Sequence, residues 1–256
     1  MIPALHTVVD GNTSTQPVIV LGASLGTNSS AWDALVPVFS AAGFATVRFD
    51  LPGHGKSEPA TAPFTLTDLA TAVIVATDAL DIDQFDYAGV SVDGGLALEL
   101  AYHYPEQIKH AAAVCTSAYF GGPGPNQERA AQVREHGTES QIAGLAERWF
   151  SPKSRAEQPE LVARFEDMVR NTSTEGFAQV VEALGTYDAR TYLGEISVPV
   201  LVISGEHDPG TTPAAGKAIA DGIAGARQVV IADAAHQAAA EHPEEVAALL
   251  IEFFRS

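Results

Sequence analysis

The chain carries a single cysteine, Cys115, so no disulfide can close within it and nothing points to an oxidising compartment. That cysteine sits in the apolar run 111–115, where a packed, inert thiol is expected rather than a nucleophile. Basic residues are also scarce: 14 Lys and Arg stand against 32 Asp and Glu, a formal net charge of −18. Such a surface cannot neutralise phosphates, which excludes nucleic acid as a partner, and it disfavours an anionic membrane face. No apolar run approaches the roughly 20 residues that span a bilayer. Residues 1–13 include Pro3, His6 and Asp10 and hold no apolar leader core, so the cytoplasm is the expected location. Internal repeats and low-complexity tracts are absent. The Gly-rich segment 22–26 also lacks the lysine of a phosphate-cradling loop.

What remains is a chain of 256 residues, 46% hydrophobic, enough for one well-buried core. Short apolar runs alternate with helical patterns, the signature of a parallel sheet covered by helices on both faces. Strands are expected at 17–21, 45–49, 85–90, 110–115, 198–203 and 228–231, with about two weaker ones before residue 17, giving about eight strands. Helices are expected at 29–41, 66–80, 92–104, 213–223 and 243–254, where Pro213 and Pro243 suit first-turn positions. The interval from Cys115 to Val198 breaks this rhythm, because a βαβ unit needs only about 30 residues. It opens on Gly121-Gly122-Pro123-Gly124-Pro125 and continues with Ile142, Leu145, Trp149, Phe150, Leu161, Phe165 and Met168 at helical spacing. The expectation is a helical cap over 121–187 inserted into a core domain formed by 1–120 and 188–256.

The chemistry concentrates at strand ends. Gly89-Val90-Ser91-Val92-Asp93 follows a strand and opens a helix, close to the Gly-x-Ser-x-Gly turn that lifts a serine oxygen above a sheet. Asp93 occupies the second small position. A shifted register would make Asp93 the nucleophile, as in haloalkane dehalogenases, and a milder role would have it cap the following helix. A serine hydroxyl needs a base, itself oriented by an acid, and in such sheets the order along the chain is Ser, Asp, His. Asp208 ends the strand running from Val198, and His236 follows the next strand; Asp233 and His207 are the competing acid and base. Of the eight histidines, His236 alone stands in this context. Backbone N–H groups of Val92 and of Leu25, in the loop after the first central strand, are the candidate oxyanion donors, with Ser24 next. This chemistry calls for no cofactor and no metal, and its partner is a small-molecule ester.

With these residues assembled, the sequence resembles the α/β-hydrolases over nearly its whole length, and more narrowly the 3-oxoadipate enol-lactonases. The matching segments are Leu21-Gly22-Ala23-Ser24-Leu25-Gly26-Thr27 before Trp32, Arg48-Phe49-Asp50 before Gly53-His54-Gly55, Arg148-Trp149-Phe150, Thr174-Glu175-Gly176-Phe177, and Ser204 to Asp208 followed by Thr212-Pro213-Ala214. In the superfamily, the proline ending the helix after the elbow stands fourteen residues beyond the nucleophile. Pro105 stands so relative to Ser91, which favours Ser91 over Asp93. The resemblance implies a carboxylic ester hydrolase with a Ser91–Asp208–His236 triad, acting on an enol-lactone in aromatic catabolism. It departs at Asp93, where the family usually has glycine, and at Leu51-Pro52, which lacks an arginine often found before Gly-His-Gly. A substrate carboxylate would require a facing cation. The resemblance points to Arg134 for that role, with Arg148 as a second candidate and Trp149 as an apolar wall.

Overall fold

The computed structural model describes residues 3–256. Strands β1 (Thr7–Asp10), β2 (Val18–Gly22), β3 (Ala45–Phe49), β4 (Phe85–Val90), β5 (Ile108–Val114), β6 (Val200–Gly205) and β7 (Arg227–Ile231) form one sheet in the order β1-β3-β2-β4-β5-β6-β7. Only β1 runs antiparallel to its neighbour. The sheet therefore has seven strands among the described residues rather than about eight. Among the described residues a single strand precedes β2, because Asn12 to Gln16 close a tight turn in which Gln16 N–H donates to the Asn12 carbonyl at 3.0 Å.

Strands buried on both faces read as continuous apolar runs, yet their side chains still alternate between two cores. Phe85 and Tyr87 of β4, with Val200 and Val202 of β6, enter one core; Ala88, Val90, Leu201 and Ile203 enter the other. Helices α2 (Leu66–Asp78), α3 (Val92–His103) and α9 (Pro213–Gly222) cover the first face through Leu69, Leu96 and Ile219. Helices α1 (Val36–Ala41) and α11 (Pro243–Phe254) cover the second through Phe39 and Leu250. The helix expected over 29–41 is broken: a 3₁₀ turn at Ser29–Trp32 precedes α1, whose first turn holds Pro37. A proline cannot donate the N–H that would continue a helix from the preceding turn.

Between β5 and β6 lie helices α4 (Pro123–His136), α5 (Leu145–Trp149), α6 (Pro152–Glu157), α7 (Pro159–Arg170) and α8 (Thr174–Thr186). Their apolar residues Val133, Phe165, Phe177, Val181 and Leu184 join the same buried cluster as the sheet. Contact with the sheet loops is closest where α8 begins. A Cβ on Gly176 would stand 2.4 Å from the Cα of Gly53, so only glycine lets the helix meet that loop. The Ser173 N–H donates to the Gly53 carbonyl beside it at 2.9 Å.

Candidate active site

The parallel strands deliver their loops to one edge, and that edge carries the candidate residues. β4 passes into α3 through Ser91, whose φ of 61° and ψ of −113° place it in a region few L-residues adopt. Gly89 makes the turn possible, since a Cβ there would lie 2.0 Å from the Asp93 carbonyl oxygen. Ser91 is half-buried, and its hydroxyl has no hydrogen-bond partner among the described residues.

Asp208, after β6, and His236, after β7, meet directly: His236 Nδ1 lies 2.7 Å from Asp208 Oδ2. Asp208 also accepts the Thr211 hydroxyl at 2.6 Å and the Gly210 and Thr211 N–H groups at 2.9 Å each. Burial alone would raise its pKa, but the hydrogen bonds and charge of His236 and the Thr211 donors outweigh burial and hold the carboxyl below its ordinary value. An ionised Asp208 keeps the proton on Nδ1 and leaves Nε2 as the basic nitrogen. The Thr211 hydroxyl stands 3.1 Å from His236 Nδ1, so it steers both partners. Thr211 was not singled out from sequence, although an Asp followed three residues later by Thr is a local turn signal.

The rival acid and base stand elsewhere. His207 is exposed, with Glu206 at 3.8 Å, and Asp233 is exposed and paired with Lys153 at 3.5 Å. Cys115 is fully buried, and burial pushes its thiol pKa up. His54 is also fully buried; Nδ1 meets the Pro52 carbonyl at 2.9 Å, and desolvation lowers its pKa to about 4, which keeps the ring neutral.

Asp93 neither caps α3 nor reaches solvent. It is wholly buried beneath the elbow, packed over Gly22, where a Cβ would lie 2.6 Å from the Asp93 Cβ and 2.5 Å from the Tyr87 hydroxyl. Neither carboxyl oxygen, nor the Tyr87 hydroxyl, has a partner at hydrogen-bond geometry. Desolvation raises its pKa well above the ordinary value, and the Ala23 N–H offsets only part of that. The close packing of α3 on β4 at Gly89 turns this side chain toward β2 rather than back over the helix start. Such a site cannot present a nucleophile; the residue at the half-buried apex of the turn is Ser91.

Val92 opens α3, so its N–H has no acceptor within the helix. Leu25 lies in the buried loop after β2, a loop closed by a Thr27 N–H bond to the Ser24 carbonyl at 3.0 Å. Gln237 ties that loop to two others: its side chain donates to Ser24 Oγ at 2.9 Å and its backbone N–H to the Trp149 carbonyl at 3.0 Å. Buried Glu241 adds a second tie, accepting the N–H of Ala235 at 2.7 Å and of Ser151 at 2.8 Å.

A cavity of about 440 Å³ opens beside the pair, lined by Asp208 and His236 and by Arg129, Gln141, Arg148 and Trp149 of the segment between β5 and β6. That volume suits a small organic molecule. The Trp149 ring lies 6.3 Å from the His236 ring, centre to centre. Arg134 does not line it. It is exposed on α4 and clamped by Glu175 at 2.8 Å and Glu182 at 2.5 Å, both from α8.

The fold and the strand-to-helix turn at Ser91 are those of the α/β-hydrolases. The family model for the alpha/beta hydrolase fold matches residues 16–243, and the chain belongs to that family. Within it, the chain is 35% identical over 229 residues to 3-oxoadipate enol-lactonase 2 of Acinetobacter baylyi, covering 90% of this chain and 85% of that protein. Enol-lactonase 1 of the same organism is 29% identical over 240 residues, covering 94% and 89%. The crystal structure of the enol-lactonase from Burkholderia xenovorans LB400 superposes with a TM-score of 0.94 at 34% identity, over 98% of this chain and 96% of that one. The chain is a hydrolase of this lactonase- and esterase-like group. No helix among the described residues is long and apolar enough to cross a membrane.

Proposed function

We propose that this protein hydrolyses a small lactone, 3-oxoadipate enol-lactone, through an acyl-enzyme on Ser91. The observation that carries the reading is the Asp208–His236 contact at the same sheet edge as the strained Ser91 turn. His236 Nε2 takes the proton as Ser91 Oγ adds to the lactone carbonyl, and the N–H groups of Val92 and Leu25 receive the oxyanion. Collapse breaks the ring C–O bond, and His236 returns its proton to the departing enol oxygen. Because the substrate is cyclic, that enol stays attached to the acyl chain and becomes a ketone. Water, deprotonated by His236, then cleaves the acyl-serine ester and leaves a carboxylate. Residues 121–187 act as a cap over a core formed by 1–120 and 188–256, with Trp149 as an apolar wall of the pocket. The substrate choice rests on similarity to the two Acinetobacter enol-lactonases and to the Burkholderia structure.

The test is turnover of the enol-lactone and of a neutral activated ester such as p-nitrophenyl acetate. The parent should hydrolyse both, the lactone with the higher kcat/KM, and Ser91→Ala should reduce both at least about a thousandfold. Ester turnover without lactone turnover would reduce the assignment to a small-ester carboxylesterase. Absence of both would make the fold a ligand-binding one.

A further inference from the structure

We propose that Arg129, with Arg148 beside it, binds a carboxylate carried by the substrate away from the scissile carbonyl, and so sets this enzyme's preference for anionic over neutral esters. The proposal rests on the reading of the site as a serine lactonase and adds the residues that select the substrate.

It starts from an anomaly of charge. In a chain of net charge −18, seven of the ten arginines lie within 4 Å of a carboxylate: Arg48, Arg134, Arg155, Arg164, Arg170, Arg190 and Arg227. The exceptions are Arg129, Arg148 and Arg255. Arg255 stands one residue from Ser256 and donates to the Ala42 carbonyl at 2.6 Å. The other two both line the cavity that holds His236 and Asp208. Two uncompensated guanidiniums side by side, where acids outnumber bases more than twofold, leave the balancing charge to a ligand.

The geometry of Arg129 fits that ligand. Its Nε donates to Gln141 Oε1 at 2.9 Å, and its guanidinium carbon stands 5.4 Å from the centre of the Phe177 ring. The two terminal nitrogens have no hydrogen-bond partner among the described residues, so the fork that pairs with a carboxylate is held at its base and free at its tips. Arg148 is fixed differently, by donation to the Ala143 carbonyl at 3.0 Å and the Gln141 carbonyl at 3.1 Å. Gln141 thus joins the two cations through its side chain and its backbone. Burial, and then the positive charge of Arg148, lower the Arg129 pKa to about 10, still charged at neutral pH. An anion between them would relieve both costs, so an occupied pocket should stabilise the cap.

The experiment compares Arg129→Gln, Arg148→Gln and Arg134→Gln on the enol-lactone and on p-nitrophenyl acetate, with adipate as a probe anion. Arg129→Gln should lower kcat/KM for the lactone at least about thirtyfold, mainly through KM, and leave ester turnover within about threefold. Adipate should inhibit parental ester turnover competitively and raise the parent's Tm, and Arg129→Gln should weaken both effects at least tenfold in concentration. Arg148→Gln should show a smaller loss of the same kind, Arg129→Lys an intermediate one, and Arg134→Gln no selective loss. Equal losses on lactone and ester for both Arg129→Gln and Arg129→Lys would reduce Arg129 to cap packing and overturn the proposal while the lactonase reading stood. Selective loss in Arg134→Gln instead would also overturn it. A parent inactive on both substrates would remove the lactonase reading itself, and adipate protection of the parent's Tm would then decide the anion site separately.

Discussion

Two aspartates lie buried at the edge of the sheet that carries the candidate site, and their environments push them in opposite directions. Asp208 has four donors around its carboxylate and is held below its ordinary pKa; Asp93 has no partner at hydrogen-bond geometry and is pushed well above it. Burial is common to both, so burial does not decide protonation. What decides it is whether the surrounding loop turns N–H and O–H groups inward. The turn after β6 does this within three residues, whereas Asp93 faces the backbone of Gly22 and an unpartnered tyrosine. The donors around Asp208 favour its charged form, and burial without partners favours the protonated form of Asp93 below the elbow.

The contrast breaks most sharply at Asp208. Asp208→Asn keeps the shape, lets the wrong His236 tautomer form, and should lower kcat by about 10⁴-fold. Asp93→Asn replaces a neutral acid with a neutral amide and should leave kcat within about threefold; a loss like that of Asp208→Asn would mean Asp93 carries a charge the reaction uses. Stability should separate the pair by sign. The unfolded chain ionises Asp93 above about pH 3.8 while the folded state keeps its proton, so the parent loses up to about 1.4 kcal/mol for each pH unit above that point. The advantage of Asp93→Asn in urea should therefore grow from pH 4 upward. Asp208 behaves oppositely: its contribution is present above about pH 3.8 and lost as pH falls through its lower folded value, so the deficit of Asp208→Asn should shrink in acid. A pH-independent difference for either variant would contradict its protonation state. Thr211→Val should cost about tenfold in kcat, one steering hydrogen bond. Tyr87→Phe removes a hydroxyl with no partner, and its unfolding free energy should move by no more than about 0.5 kcal/mol.

Much of this edge was legible before any coordinates. Strand boundaries at 45–49 and 85–90 coincide with those observed, because apolar runs closed by turn residues leave little choice. The Asp208–His236 contact follows from strand order, which puts both residues just past neighbouring strands. Asp93 was misplaced because capping is a local rule, while the packing of α3 against β4 and β2 is tertiary. Arg134 was misplaced for a related reason. Asn126, Ala130 and Val133 form the buried stripe of α4, and at 100° per residue Arg129 and Arg134 flank that stripe on opposite sides. Periodicity cannot tell those sides apart. The choice is made by α8, which brings Glu175 and Glu182 to one side, while the loops of Asp208 and His236 and Gln141 close the other.

The ties made by Gln237 and Glu241 bear on how such an enzyme can change over generations. An inserted segment is usually thought of as a module, free to drift or be exchanged while the machinery beneath it is kept. Here the residue next to His236 holds Ser24 and the Trp149 carbonyl together, and Glu241 shares its carboxylate between the histidine loop and Ser151. Replacing the segment between β5 and β6 would leave one oxygen of Glu241 and the Gln237 N–H to find new partners in a buried place. The segment between β5 and β6 and the His236 loop are thus bonded together, and changes of specificity should arise by substitution at cavity positions such as Arg129 and Trp149 more readily than by exchange of the whole segment.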